Sequence, residues 1–132
     1  MADLSNLVPS HKSDREAAKR AIAYGWPGVE PVIGELLVWL QDCNWPVAHT
    51  LIPFLAQIGD PLAPHLRPIF EGDDDVWKYW IIVEILERGP LTLAEQFRAD
   101  LERLVQHPTP MEAEQELPEM AKSVLDRLGR GE

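Results

Sequence analysis

The chain has 132 residues, of which 45% are hydrophobic and 26% charged, enough apolar content for a folded core and too much for a disordered chain. Its net charge of −10 is the wrong sign for a phosphate backbone, so nucleic-acid binding is not expected, whereas basic partners would be attracted. A single cysteine, Cys43, permits neither an internal disulfide nor a cysteine-based zinc site, and it reads as a small semi-buried residue near a helix end.

Helix signals run through the chain, and no stretch alternates apolar and polar residues between hairpin turns. Ser13 followed by Glu16 reads as a capping box for a first helix to about Tyr24, with Ala17, Ala18, Ala21 and Ile22 on one face and Gly25 as its stop. A second covers Val29 to Gln41 through Val32, Leu36, Trp39 and Leu40, with Trp39 expected in the core. Asn44 and Pro46 open a third, whose stripe is Leu51, Ile52, Leu55 and Ala56, with Pro53 inside it and Gly59 after it. Asp60-Pro61 starts a fourth, to about Phe70. Asp73, Asp74 and Asp75 open a fifth, to Arg88. Thr92 with Glu95 reads as a second capping box, for a sixth helix ending before Pro108. The acidic stretch Thr109 to Leu117 reads as a loop or frayed turn, and Pro118 starts a seventh helix, to Leu128-Gly129.

A shift of thirty residues superposes two helix pairs. Val32, Leu36, Trp39 and Leu40 fall on Leu62, Leu66, Ile69 and Phe70; Leu51, Ile52, Leu55, Ala56 and Gly59 fall on Ile81, Ile82, Ile85, Leu86 and Gly89. A two-helix unit cannot bury its apolar face alone, and stacking supplies the missing surface. The expected fold is therefore all-α: a single HEAT-like domain over residues 1–132, an α-α superhelix of about seven helices arranged as stacked hairpins. The first helix resembles a lone second helix of that unit. The Leu4 to Pro9 segment is expected to cover its open side. An uncovered edge would invite self-association, so a monomer or a weak homodimer is expected.

Several strings carry a resemblance: Leu7-Val8-Pro9 with His11-Lys12-Ser13-Asp14, Val29-Glu30-Pro31, Trp39-Leu40-Gln41-Asp42, Asn44-Trp45-Pro46-Val47-Ala48 and Asp74-Asp75-Val76-Trp77-Lys78-Tyr79-Trp80. Together they resemble a bacterial family of small proteins classed as a domain of unknown function, whose members look like HEAT-type superhelices. The resemblance spans about Leu7 to Leu128 and is weakest between Thr109 and Leu117. It implies a fold and a bacterial, cytoplasmic setting, and no catalytic residues.

Candidate chemistry is sparse. In stacked helical arrays the second helix of each pair lines the concave side, so a partner groove would hold Trp45, His49, Trp77, Lys78 and Glu84. The same tryptophans would serve equally to pack neighbouring repeats. The Asp73 to Asp75 run suits a helix start better than a metal, because consecutive carboxylates diverge. His11, His49, His65 and His107 show no zinc spacing, although His49 and His65 lie on neighbouring helices. Glu112, Glu114 and Glu116 read as a solvated acidic run. Nucleophile-elbow and phosphate-loop motifs are missing. No metal, cofactor or membrane role is expected, and the opening residues, without a basic stretch before an apolar run, point to the cytoplasm.

The expected function is a non-enzymatic protein-interaction domain, in one version an acidic immunity- or inhibitor-type partner for a basic toxin or effector. The enzymatic alternative is a HEAT-like DNA glycosylase, with Trp77 and Asp73 or Asp75 standing in for its site; the acidic charge disfavours it.

Overall fold

The computed structural model describes residues 4–131, and all regular structure among them is helical. Nine α-helices are present in that span: α1 (Arg15–Tyr24), α2 (Ile33–Val38), α3 (Pro46–Ile58), α4 (Ala63–Glu71), α5 (Asp75–Ile81), α6 (Leu91–Glu95), α7 (Arg98–Gln106), α8 (Pro110–Glu114) and α9 (Leu117–Arg130). Short 3-10 turns precede or follow several of them. The chain divides into two compact units, one ending at Leu55 and the other beginning at Ala56, both inside the sequence of α3.

In the first unit, α1 is capped by Asp14 rather than by the expected Ser13–Glu16 box. The Asp14 carboxylate accepts the Ala17 N–H at 3.3 Å and both the N–H and hydroxyl of Ser10. The Ser10 backbone N–H, foremost among these donors, holds the Asp14 carboxyl below its ordinary range. Ala17, Ala18 and Ala21 are buried as expected, whereas Ile22 is exposed. Gly25 ends the helix at φ 79°, a conformation that costs a residue with a Cβ. The 3-10 turn Ser5–Leu7 packs against α1: Leu7 is buried, and the Arg20 Nε–H donates to the Asn6 carbonyl at 2.9 Å. The Leu4 to Pro9 segment thus lies on α1, as its sequence suggested.

The helix expected from Val29 to Gln41 is α only in its middle, with 3-10 turns Glu30–Val32 and Trp39–Gln41 on either side. Leu36, Leu37 and Leu40 are buried. Trp39 is only partly buried, so its assignment to the core is corrected. Cys43 is buried, its Sγ 3.8 Å from the Leu40 carbonyl. The start of α3 is tied back by the Val47 N–H, which donates to the Lys12 carbonyl at 3.1 Å.

The second unit repeats the local grammar of the first. A 3-10 turn with Pro in its first positions, Asp60–Leu62, leads into α4 as Glu30–Val32, with Pro31, leads into α2. Leu62, Leu66, Ile69 and Phe70 are buried, as are Leu51, Ile52, Leu55 and Ala56 and their counterparts Ile81, Ile82, Ile85 and Leu86. Gly59, at φ 73°, occupies a position closed to side chains on both counts: a Cβ there would sit 3.0 Å from the Pro90 ring. Helix α5 passes into a π turn at Ile82–Leu86. From α9, Arg127 reaches that end and donates to the Leu86 and Gly89 carbonyls at 2.8 and 2.5 Å, where a cation suits the helix C-terminus.

Three expectations in this unit are corrected. The capping box at Thr92 is not formed: α6 begins after Pro90, and the Thr92 hydroxyl donates to Asp60 Oδ1 at 2.6 Å. The single helix from Thr92 to before Pro108 is two, α6 and α7, broken at Gln96–Phe97. The break sends the Phe97 ring into the core, stacked on Phe70 at 4.8 Å, with the Arg67 guanidinium over the Phe97 ring, 4.5 Å from its centroid. Arg67 also satisfies the Gln96 carbonyl that the break frees, and pairs with Asp100 at 2.6 Å. Finally, the acidic stretch Thr109 to Leu117, expected to be a loop or frayed turn, contains the capped helix α8.

Candidate functional site

Helix α8 is specified locally. Thr109 caps it, Pro110 follows, and Glu112 completes a capping box: the Glu112 N–H donates to Thr109 Oγ1 at 3.1 Å, and the Thr109 N–H donates to Glu112 Oε1 at 2.8 Å. The expectation that Glu112 is solvated is corrected, because it is only 3% exposed.

Burial of that carboxylate is compensated from two other helices. Arg103 on α7 grips it in a fork, Nη1 to Oε1 at 3.0 Å and Nη2 to Oε2 at 2.7 Å. Lys78 on α5, itself 5% exposed, lies 3.4 Å from Oε2 and 3.2 Å from Asp75 Oδ1. Two cations thus meet two carboxylates, which is the condition for tolerating charge out of water. The Arg103 fork, with help from the Thr109 N–H, holds the Glu112 carboxyl down at about 2 and raises the Arg103 guanidinium. Both cations are paired with carboxylates of the cluster, which thus acts as a clamp holding α8 against α5 and α7.

Where α8 ends, a cavity of about 270 Å³ opens to solvent, lined by Val76, Tyr79 and Trp80 of α5 and by Glu114, Gln115 and Glu116. Its walls are aromatic. Tyr79 and Trp80 meet edge to face, centroids 5.1 Å apart and planes at 83°. Its opposite side is acidic, and neither Glu114 nor Glu116 is held in an ion pair among the described residues. Glu116 adopts φ 64° and ψ 23°, the left-handed region, and is the described non-glycine residue that does so. That conformation turns the chain from α8 into α9 and costs energy for a residue with a Cβ.

The groove residues expected from sequence fare differently. Trp45 is partly buried, its ring 5.5 Å from Trp39 and tilted by 70°, and the exposed His49 lies one turn further on. These two belong to the first unit and Trp77, Lys78 and Glu84 to the second. Lys78 is removed from any groove by its burial in the clamp, a correction that the aliphatic stem and two carboxylate partners explain. Glu84 pairs with Arg88 at 3.0 Å, and Trp77, half-buried, donates its backbone N–H to the capping Asp74 carboxylate at 3.0 Å. That cap is the role expected of the Asp73 to Asp75 run, while Asp75 is bound to Lys78. Among the described residues no three His, Cys, Asp or Glu side chains converge as metal ligands, and no helix is long and apolar enough to cross a membrane.

The sequence pattern favours Trp77 over Tyr79 and Trp80, and the cavity is lined by the latter two. A local signal for α8 is present in the sequence: Thr109-Pro110 with Glu112 is a complete helix-start signature.

The family model for a domain of unknown function (DUF5071) matches residues 7–125. The chain belongs to this family. No curated protein matches it. The part of this DUF5071 chain that the model matches includes every residue of the clamp and of the aromatic cavity.

Proposed function

We propose that this protein is a non-catalytic interaction domain that receives a basic protein partner on the face bearing Tyr79, Trp80, Glu114 and Glu116. The carrying observation is the cavity itself: aromatic walls facing uncommitted carboxylates. Such a surface attracts cations and repels phosphates, and the net charge of −10 extends that preference beyond the cavity. Partners of this kind include a basic toxin or effector that an acidic immunity-type protein would shield.

The scaffold reading that goes with it is a single HEAT-like α-α superhelical domain over residues 1–132, in a bacterial cytoplasm. Its support is the thirty-residue correspondence of proline-started turns, buried stripes and terminal glycines.

Titrating the protein with a lysine- and arginine-rich polypeptide, and separately with duplex DNA, at low and high salt tests the function. Binding of the polypeptide that weakens steeply with salt, and no binding of DNA, is the expected pair of results. DNA binding, or indifference to the polypeptide at low salt, overturns it.

A further inference from the structure

We infer that the Tyr79–Trp80 cavity is a receptor for one arginine side chain of the partner, an inference that rests on the interaction reading above. Size is the first argument. A volume of about 270 Å³ falls just short of the range of pockets that enclose drug-sized ligands, and suits a single long side chain entering from solvent.

Chemistry is the second argument. The two rings pack edge to face in direct contact, so a flat group entering the cavity lies against the aromatic surface that they present together rather than between them. A guanidinium is flat and weakly hydrated, stacks on aromatic faces, and carries donors around its rim for carboxylates. Glu114, Gln115 and Glu116 line the same cavity and offer acceptors to those donors. An ammonium group is a compact, strongly hydrated point charge and cannot stack and fork at once, so lysine is the poorer occupant.

Two arginines of the same unit are committed elsewhere: Arg103 to Glu112, and Arg127 to the Leu86 and Gly89 carbonyls. The cavity is also built before any ligand arrives. The clamp at Glu112 fixes α8 against α5, and the left-handed turn at Glu116 fixes the acidic lip. A preformed site loses less entropy on binding, and backbone strain at a lining residue is what a functional turn carries.

The experiment is an NMR titration of the whole protein with N-acetyl-arginine methylamide, using the citrulline and lysine counterparts as controls. Citrulline keeps the shape and loses the charge. The arginine compound should shift the Trp80 indole N–H and the amides of residues 114–116 saturably. Citrulline should bind at least about tenfold more weakly, and lysine should fall between them. The double variant Glu114→Gln/Glu116→Gln, at exposed positions and checked for an unchanged amide spectrum elsewhere, should lose about fivefold or more. Equal shifts from citrulline and arginine, or no shift at all, overturn the assignment. If the arginine compound leaves these signals unmoved while the protein still binds a basic polypeptide in a salt-sensitive way, the arginine site falls and the interaction reading stands. The opposite pattern, a filled cavity without polypeptide binding, keeps the arginine site and overturns that reading.

Discussion

Glu112 shows how much one residue's neighbours decide. A glutamate in an acidic stretch is expected in water, yet here it is buried with the Arg103 fork on one side and Lys78 on the other. Its partners lie 9 and 34 residues away in sequence, which is why periodicity and composition did not reveal them. Glu112→Gln keeps the shape and removes the charge, leaving buried Lys78 with Asp75 alone. It should cost about 2–4 kcal/mol, read by urea unfolding. The effect has a defined pH window. Because the folded state depresses this carboxyl from 4.5 to about 2, its stabilisation is complete above 4.5 and is lost as pH falls through about 2. The stability gap between wild type and Glu112→Gln should therefore be constant at neutral pH and close across that acid range; a gap that persists unchanged at pH 2 would refute the assignment. Arg98 and Glu95 form an equally good fork at 2.8 and 2.7 Å, but in solvent, and Glu95→Gln should leave the unfolding midpoint unchanged within error.

At the scale of elements, start signals and inner stripes were legible where the information is local. Asp74 caps α5 as read, and the stripes of α3 and of α5 with its π turn are buried as read, because apolar spacing and capping residues act within one or two turns. Two rival boxes show the limit. Thr92 with Glu95 and Thr109 with Glu112 carry the same signature, and only the second forms, because α6 already begins at Leu91 and leaves Thr92 inside its first turn, its hydroxyl donating to Asp60, 32 residues upstream. Thr109→Ala should cost about 1 kcal/mol in unfolding free energy. Glu116→Gly should relieve the left-handed turn and stabilise by up to about 1 kcal/mol, a sign opposite to that of a glycine placed in a helix. The break between α6 and α7 was illegible for a similar reason, since nothing beside Phe97 in sequence announces Phe70 and Arg67 as its partners.

For the molecule as a whole, composition pointed to an acidic domain without naming its face. The sequence pattern singles out Trp45, His49, Trp77, Lys78 and Glu84, whereas in the structure Lys78 is consumed by the clamp and its neighbours Tyr79 and Trp80 line the cavity. Net charge alone would attract a basic partner to any surface; a site demands that position matter. Charge reversal separates the two. The variant Glu114→Lys/Glu116→Lys and the control Glu35→Lys/Glu71→Lys change net charge equally, all at exposed positions. Their affinities for one arginine-rich polypeptide, measured by calorimetry at fixed salt, are the most direct test. The expected result is a loss of about tenfold or more for the cavity pair and at most about threefold for the control. Equal losses from both would mean that the cavity has no privileged role and that only overall charge attracts the partner.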